Sequence, residues 1–180
     1  MTQNEVKTAQ GAVEIALKRM GANNVGESIE SQLKTRTKSD PSAAQFAVGD
    51  ELTIPATNAQ LFRNVINGGD PTYGVVAPFK SAEGAIGAKT LYFSALDRSV
   101  AEYSDTLAPT GKIVYAKTDK FHDVYDAVSA CADDQEVWKA IVGKTLKVAH
   151  INEVKAARYN RDGQIIGVRT RKVPVFQFMG

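Results

Sequence analysis

Three observations place this chain in the α+β class: a helix-period stripe at its start, strand-like alternation from Phe46 onward, and two long alternating runs around a turn near its end. Together they predict an N-terminal helical arm followed by a small, mostly antiparallel β-barrel, with a helical insertion before a C-terminal β-hairpin. The boundaries drawn from composition are 1–38 for the arm, 39–45 for a linker and 46–180 for the barrel domain. A length of 180 residues suits one core with a small appendage.

The first element opens on Thr2, three residues before Glu5, the spacing of a capping box. Val6, Ala9, Val13, Ala16, Leu17 and Met20 follow at helical spacing, and Gly21 ends the run. The stripe is narrow and poor in large side chains, so the helix must dock to be stable. A weaker stripe, Val25, Ile29 and Leu33, comes next. Residues 34–42 are polar, basic and closed by Pro41, the composition of a connector.

From 46 to 55 the pattern is strand-like, with a turn at Gly49-Asp50. Residues 58–66 read as one or two helical turns before the turn cluster Asn67-Gly68-Gly69-Asp70-Pro71. Strands are predicted at 73–79, 90–96 and 112–116, all rich in Val, Tyr, Phe and Ile. A helix is predicted at 119–130, with Val124, Ala127, Val128 and Cys131 inward. A short one starts at Asp133-Asp134-Gln135-Glu136, turns Val137, Trp138 and Ile141 inward, and stops at Gly143. Strands at 144–159 and 164–178 flank the turn Asn160-Arg161-Asp162-Gly163. Pro174 cannot donate to a ladder, so the last strand is an edge there or carries a bulge. Strands, helix, two strands is the order of the oligonucleotide/oligosaccharide-binding barrel.

Charge is segregated along the chain. Residues 139–180 hold nine Lys or Arg against Glu153 and Asp162, while the other 138 hold 13 basic and 18 acidic side chains. Arg169 and Arg171, two apart on a strand, point to one face. With Lys144, Lys147, Lys155, Arg158, Arg161 and Lys172 they form a candidate phosphate-binding surface. Tyr92, Phe93, Tyr159, Phe176 and Phe178 are its candidate stacking platforms, at ~1–3 kcal/mol per stacked base. Against this, aromatics are 8% of the chain, too few to fill a core and a groove as well.

Motifs for other chemistry fail on context. Gly143-Lys144-Thr145 lacks the glycine a phosphate loop needs five positions earlier, where Trp138 stands, and it follows a helix instead of opening one. His122, Asp123 and Asp126 share one turn without a second donor cluster. Cys131, the single cysteine, reads as a small core residue of a protein in a reducing compartment. Ser94 and Ser99 lie in no nucleophile elbow. No catalytic, metal or cofactor set is predicted, which makes the expectation a non-enzymatic protein. The first residues lack the basic and apolar regions of a signal peptide, and no run of 18 apolar residues occurs.

Leu91-Tyr92-Phe93-Ser94, Gly143-Lys144-Thr145-Leu146-Lys147-Val148 and Val173-Pro174-Val175-Phe176 resemble phrases in small uncharacterised β-barrel proteins of tailed bacteriophages. That resemblance implies an auxiliary capsid protein or a single-strand binder, located in the virion or the host cytoplasm. For the first, the lean arm stripe and the apolar end of the chain, not the resemblance, point to protein subunits as partners, contacted through Val6, Val13, Leu17 and Met20 of the arm and Phe176 and Phe178 of the apolar C-terminus. In the second, the partner is single-stranded nucleic acid on the basic hairpin.

Overall fold

The computed structural model describes residues 1–20, 23–24, 34–35, 46–57, 61–64, 72–95, 99–115, 124 and 128–179. In chain order its elements are α1 (Gln3–Met20), β1 (Asn23–Asn24), β2 (Lys34–Thr35), β3 (Glu51–Thr53), β4 (Leu61–Asn64), β5 (Thr72–Lys80), β6 (Ile86–Phe93), β7 (Ser99–Tyr103), β8 (Pro109–Tyr115), α2 (Asp134–Ile141), β9 (Thr145–Tyr159) and β10 (Ile165–Phe178). The strands join one mostly antiparallel sheet in the order β1-β2-β4-β5-β3-β9-β7-β8, with β6 added to β5 and β10 to β9. β2 and β4 form the one parallel pair among the described strands.

Two long strands set the layout. β5 shares one edge between β4 and β3, and β9 shares one edge between β3 and β7. The near half of β9 thereby belongs to a main lobe and its far half to a distal one. In the main lobe Leu52, Ile54, Val75, Leu91, Phe93, Leu146, Val148 and Phe176 form a core closed by Val137 and Ile141 of α2. Val76 and Tyr92 face the other way, onto Val13 and Ala16 of α1. With both faces covered, β5 needs apolar residues at successive positions, which explains the unbroken run Val75-Val76-Ala77.

The helices are held as their sequences predict. Thr2 N–H donates to Glu5 Oε1 (3.0 Å) and Glu5 N–H to Thr2 Oγ1 (3.1 Å), a closed capping box. Ala9, Val13 and Ala16 are buried, so the arm docks on its own sheet. Gly74 pairs with Phe62 of the neighbouring strand and leaves room for its ring: a Cβ there would lie 2.5 Å from it. At α2, Asp133 accepts from Glu136 N–H (2.8 Å) and Glu136 accepts from Ala132 N–H (2.6 Å). Trp138 stacks on Phe93 with centroids 5.9 Å apart.

Three hairpins use one turn. The N–H of Ser81, Ser104 and Asn160 each donates to the carbonyl of the residue four on, each carbonyl accepts the N–H of the residue three on, and each side-chain oxygen accepts the N–H of the residue four on. The fourth position of this type I turn plus bulge needs a positive φ. Gly84 (+93°) and Gly163 (+78°) supply it at no steric cost; the third turn places Leu107 there, at +65°.

Several expectations are corrected. Leu61–Asn64 is a strand, not part of a helical turn over 58–66, because Leu61 and Phe62 bury opposite faces while the backbone pairs with β5. β6 begins at Ile86, four residues earlier than 90–96 implied, and β7 falls where no strand was expected. The expected β-barrel is not seen among the described residues. Among the described residues β8 pairs only with β7, β6 with β5 and β10 with β9, so the sheet stays open. The OB-like strand order is not confirmed either, since among the described residues β6 and β10 do not pair to complete it. The 9-residue stripe of Val25, Ile29 and Leu33, and most of the helix expected at 119–130, lie outside the described residues; Val124 and Val128 are buried in the main core.

Candidate functional site

The distal lobe, built from β7, β8 and the far halves of β9 and β10, gathers six of the eight candidate basic residues. Alternation turns Val154 and Ala156 of β9 to one face, where they cluster with Val100, Val114 and Val173. Register carries Arg171 beside Val154, Arg169 beside Ala156, and Arg158 beside Gly167, so three arginines share that valine face. Lys155 and Lys172 lie on the opposite face with Glu153. Lys147 stands at the near end of β9, about 35 Å of strand from Arg158, and Lys144 lies just before the strand begins. Arg161 occupies the β9–β10 turn. The eight predicted contacts are thus divided over separate surfaces.

The lysines and arginines also differ in their partners. Lys155 Nζ meets Asp105 at 2.9 and 3.1 Å, Lys172 meets Glu153 at 3.9 Å, and Lys112 meets Glu102 at 3.9 Å. These lysines pair with three of the lobe's four described carboxylates, the fourth being Asp162 in the β9–β10 turn. Arg158, Arg161 and Arg169 have no carboxylate partner among the described residues. Glu102, Asp105 and Glu153 line a cleft of about 400 Å³ with Tyr103, Lys155 and Thr170. Beside it Tyr159, 59% exposed, hydrogen-bonds Tyr103, which pushes the Tyr159 hydroxyl pKa up.

The apolar contact residues divide as well. Val13 is fully buried, Leu17 packs against the same α1–sheet cluster, and Phe176 is locked edge-on to Phe46 at 5.2 Å. Val6 and Phe178 are open to solvent, at 47% and 41% exposure. Met20 closes α1, its side chain outside the described set. Of the proposed stacking rings, Tyr92, Phe93 and Phe176 are buried, whereas Tyr159 and Phe178 are exposed.

Elsewhere, Lys89 of β6 is caged: Nζ lies 4.7 and 4.4 Å from the ring centroids of Phe46 and Phe79 and 3.8 Å from Asp50 Oδ2. Burial lowers its pKa, with the Asp50 carboxylate opposing the shift. Asp50 also accepts N–H bonds from Ala47 and Ala82, so the cage ties β3, β5 and β6 together. Burial, then Glu136 and Asp133, raise the Cys131 thiol, leaving a poor nucleophile. Gly143 has φ +71° and ends α2, with Lys144 N–H donating to Ile141 O, a helix stop and not a phosphate cradle. His122, Asp123 and Asp126 lie outside the described residues, and among those described no three His, Cys, Asp or Glu side chains group to hold a metal. No described helix is long and apolar enough to cross a membrane.

Sequence reading missed Leu107 and Ile113, the exposed apolar residues of the β7–β8 hairpin. The signal was present: Ser104 to Pro109 carries turn residues between two short apolar runs. Comparison with protein-family models, curated proteins and solved structures returned no match to this chain.

Proposed function

We propose that this chain is a non-enzymatic structural protein of an assembly, an auxiliary component of a tailed-bacteriophage virion that meets neighbouring subunits through apolar surface on a rigid frame. The exit of β10 carries this reading. Phe176 is anchored in the core and Met179 N–H donates to Thr145 O at 2.9 Å, while Phe178 and Met179 each stand 41% exposed. Apolar side chains on a pinned backbone lose little entropy on docking, so they suit a permanent contact. Val6 adds an exposed apolar position on α1. The virion setting rests on the phage-like sequence phrases.

A second reading is favoured by the surplus of arginine. With three carboxylates of the distal lobe paired to lysine, Arg158 and Arg169, which share one face and have no carboxylate partner among the described residues, suit the phosphates of a single strand. An open sheet serves this reading as well as an OB-like barrel does.

One experiment separates them. The full chain is titrated into labelled oligothymidine at two salt concentrations, and its mass is followed by light scattering. The assembly reading expects no retained oligothymidine and species heavier than one chain, lightened by joint Phe178→Asp and Met179→Lys substitution. Tight, salt-sensitive binding whose slope falls on replacing Arg158, Arg169 and Arg171 overturns it in favour of the strand binder.

A further inference from the structure

A sheet with one buried face ordinarily turns polar residues to water on the other. The distal lobe departs from this. Its inner face buries the valine cluster. On its outer face, register sets Ile113 of β8 beside Ala101 of β7, and Ala157 of β9 beside Val168 of β10. Glu102 pairs with Ala156, so antiparallel geometry brings Ala101 next to Ala157. An apolar row therefore crosses all four strands. Ile113 is 60% exposed, Ala101 is exposed, and the other two are half-buried. Two alanines form its centre, flanked on the same face by the hydrogen-bonded Tyr103 and Tyr159.

Two more observations bear on what covers it. Leu107, at the tip of the β7–β8 hairpin, holds a left-handed backbone that glycine fills in the two equivalent turns, and it is 38% exposed. Strain kept for an exposed apolar side chain points to a use for that side chain. Beside the row, Asp105, Lys155, Glu153 and Lys172 alternate in sign and are paired within the chain. A neutral border gives a polyanion nothing to bind. A border that alternates in sign becomes its own complement when reversed end to end by a half-turn, so that each acid meets a base.

We propose that this outer face is a self-contact surface, on which a second copy of the chain stacks sheet against sheet about a two-fold axis. The contact is isologous: the same row and the same border serve both partners. Facing sheets pack with their strands nearly aligned and their inner side chains interdigitated. This rests on the assembly reading and gives it one specific partner.

Sedimentation velocity over a wide concentration range tests it on the full chain. The wild type shows a monomer–dimer equilibrium, and Ile113→Glu or Ala101→Glu weakens it by about tenfold or more, because a carboxylate is then buried unpaired. Circular dichroism confirms that each variant is folded. The exchange Asp105→Lys with Lys155→Asp offers a second route. It keeps the ion pair within each chain but makes the border meet like charges when reversed, so dimerisation weakens with an unchanged monomer. A monomer at every concentration overturns the proposal, and so does a dimer indifferent to all of these changes. A dimer lost only with Phe178→Asp and Met179→Lys also overturns it, yet leaves the assembly reading standing on the exit of β10. With a monomer throughout, the oligothymidine result decides that reading separately.

Discussion

Leu107 at φ +65° is the one described residue other than glycine in the left-handed region. A side chain there costs about 1–2 kcal/mol relative to glycine, whose freedom in the unfolded chain returns part of the difference. Leu107→Gly should therefore raise unfolding stability by ~1 kcal/mol, seen as a higher urea midpoint at unchanged slope. A lower midpoint would mean that the leucine side chain stabilises the single chain by more than its backbone strain costs. The hydrogen bonds that close this turn are the same as in the other two, so a change at position 107 reads the strain and not the turn.

At the scale of elements, α1 is lightly attached. It buries Ala9, Val13 and Ala16, and at about 0.8 kcal/mol per methylene that contact is small. Its start is fixed by Glu5, which accepts Thr2 N–H and meets Lys80 at 3.2 Å; these partners hold its pKa below the ordinary 4.5. A carboxylate with a lower value folded than unfolded stabilises the fold above the unfolded value, and the gain is lost as pH falls through the folded one. Amide exchange in α1, corrected for intrinsic rate, should quicken relative to β5 as pH drops below 4.5. Glu5→Gln should abolish the difference; an unchanged pH profile in that variant would assign it to another group. Capping and turn chemistry are local, which is why α1, α2 and the β9–β10 hairpin were legible in the sequence. β4 and β7 were not, because Leu61-Phe62 and Val100 form strands through distant partners. The basic segment was legible as composition only. Which cations are compensated depends on Asp105, which meets Lys155 fifty residues away in sequence.

For the whole molecule the governing feature is β9, which places Leu146 and Val148 in the main core and Val154 and Ala156 in the distal cluster. Trp138, the chain's one tryptophan, reports on the main core through its stack with Phe93. Val154→Ala should cost about 1–3 kcal/mol and shift the denaturant midpoint seen by Trp138 fluorescence, although the substitution lies in the other lobe. A distal transition that moves alone would show that the lobes unfold separately. The same continuity has a mechanical side. A neighbour tugging on the distal turn pulls along the strand axis, and the force enters the main lobe where Thr145, Leu146 and Lys147 pair with β3. The hydrogen bonds there lie across the pull, so they resist together in shear instead of peeling apart one by one.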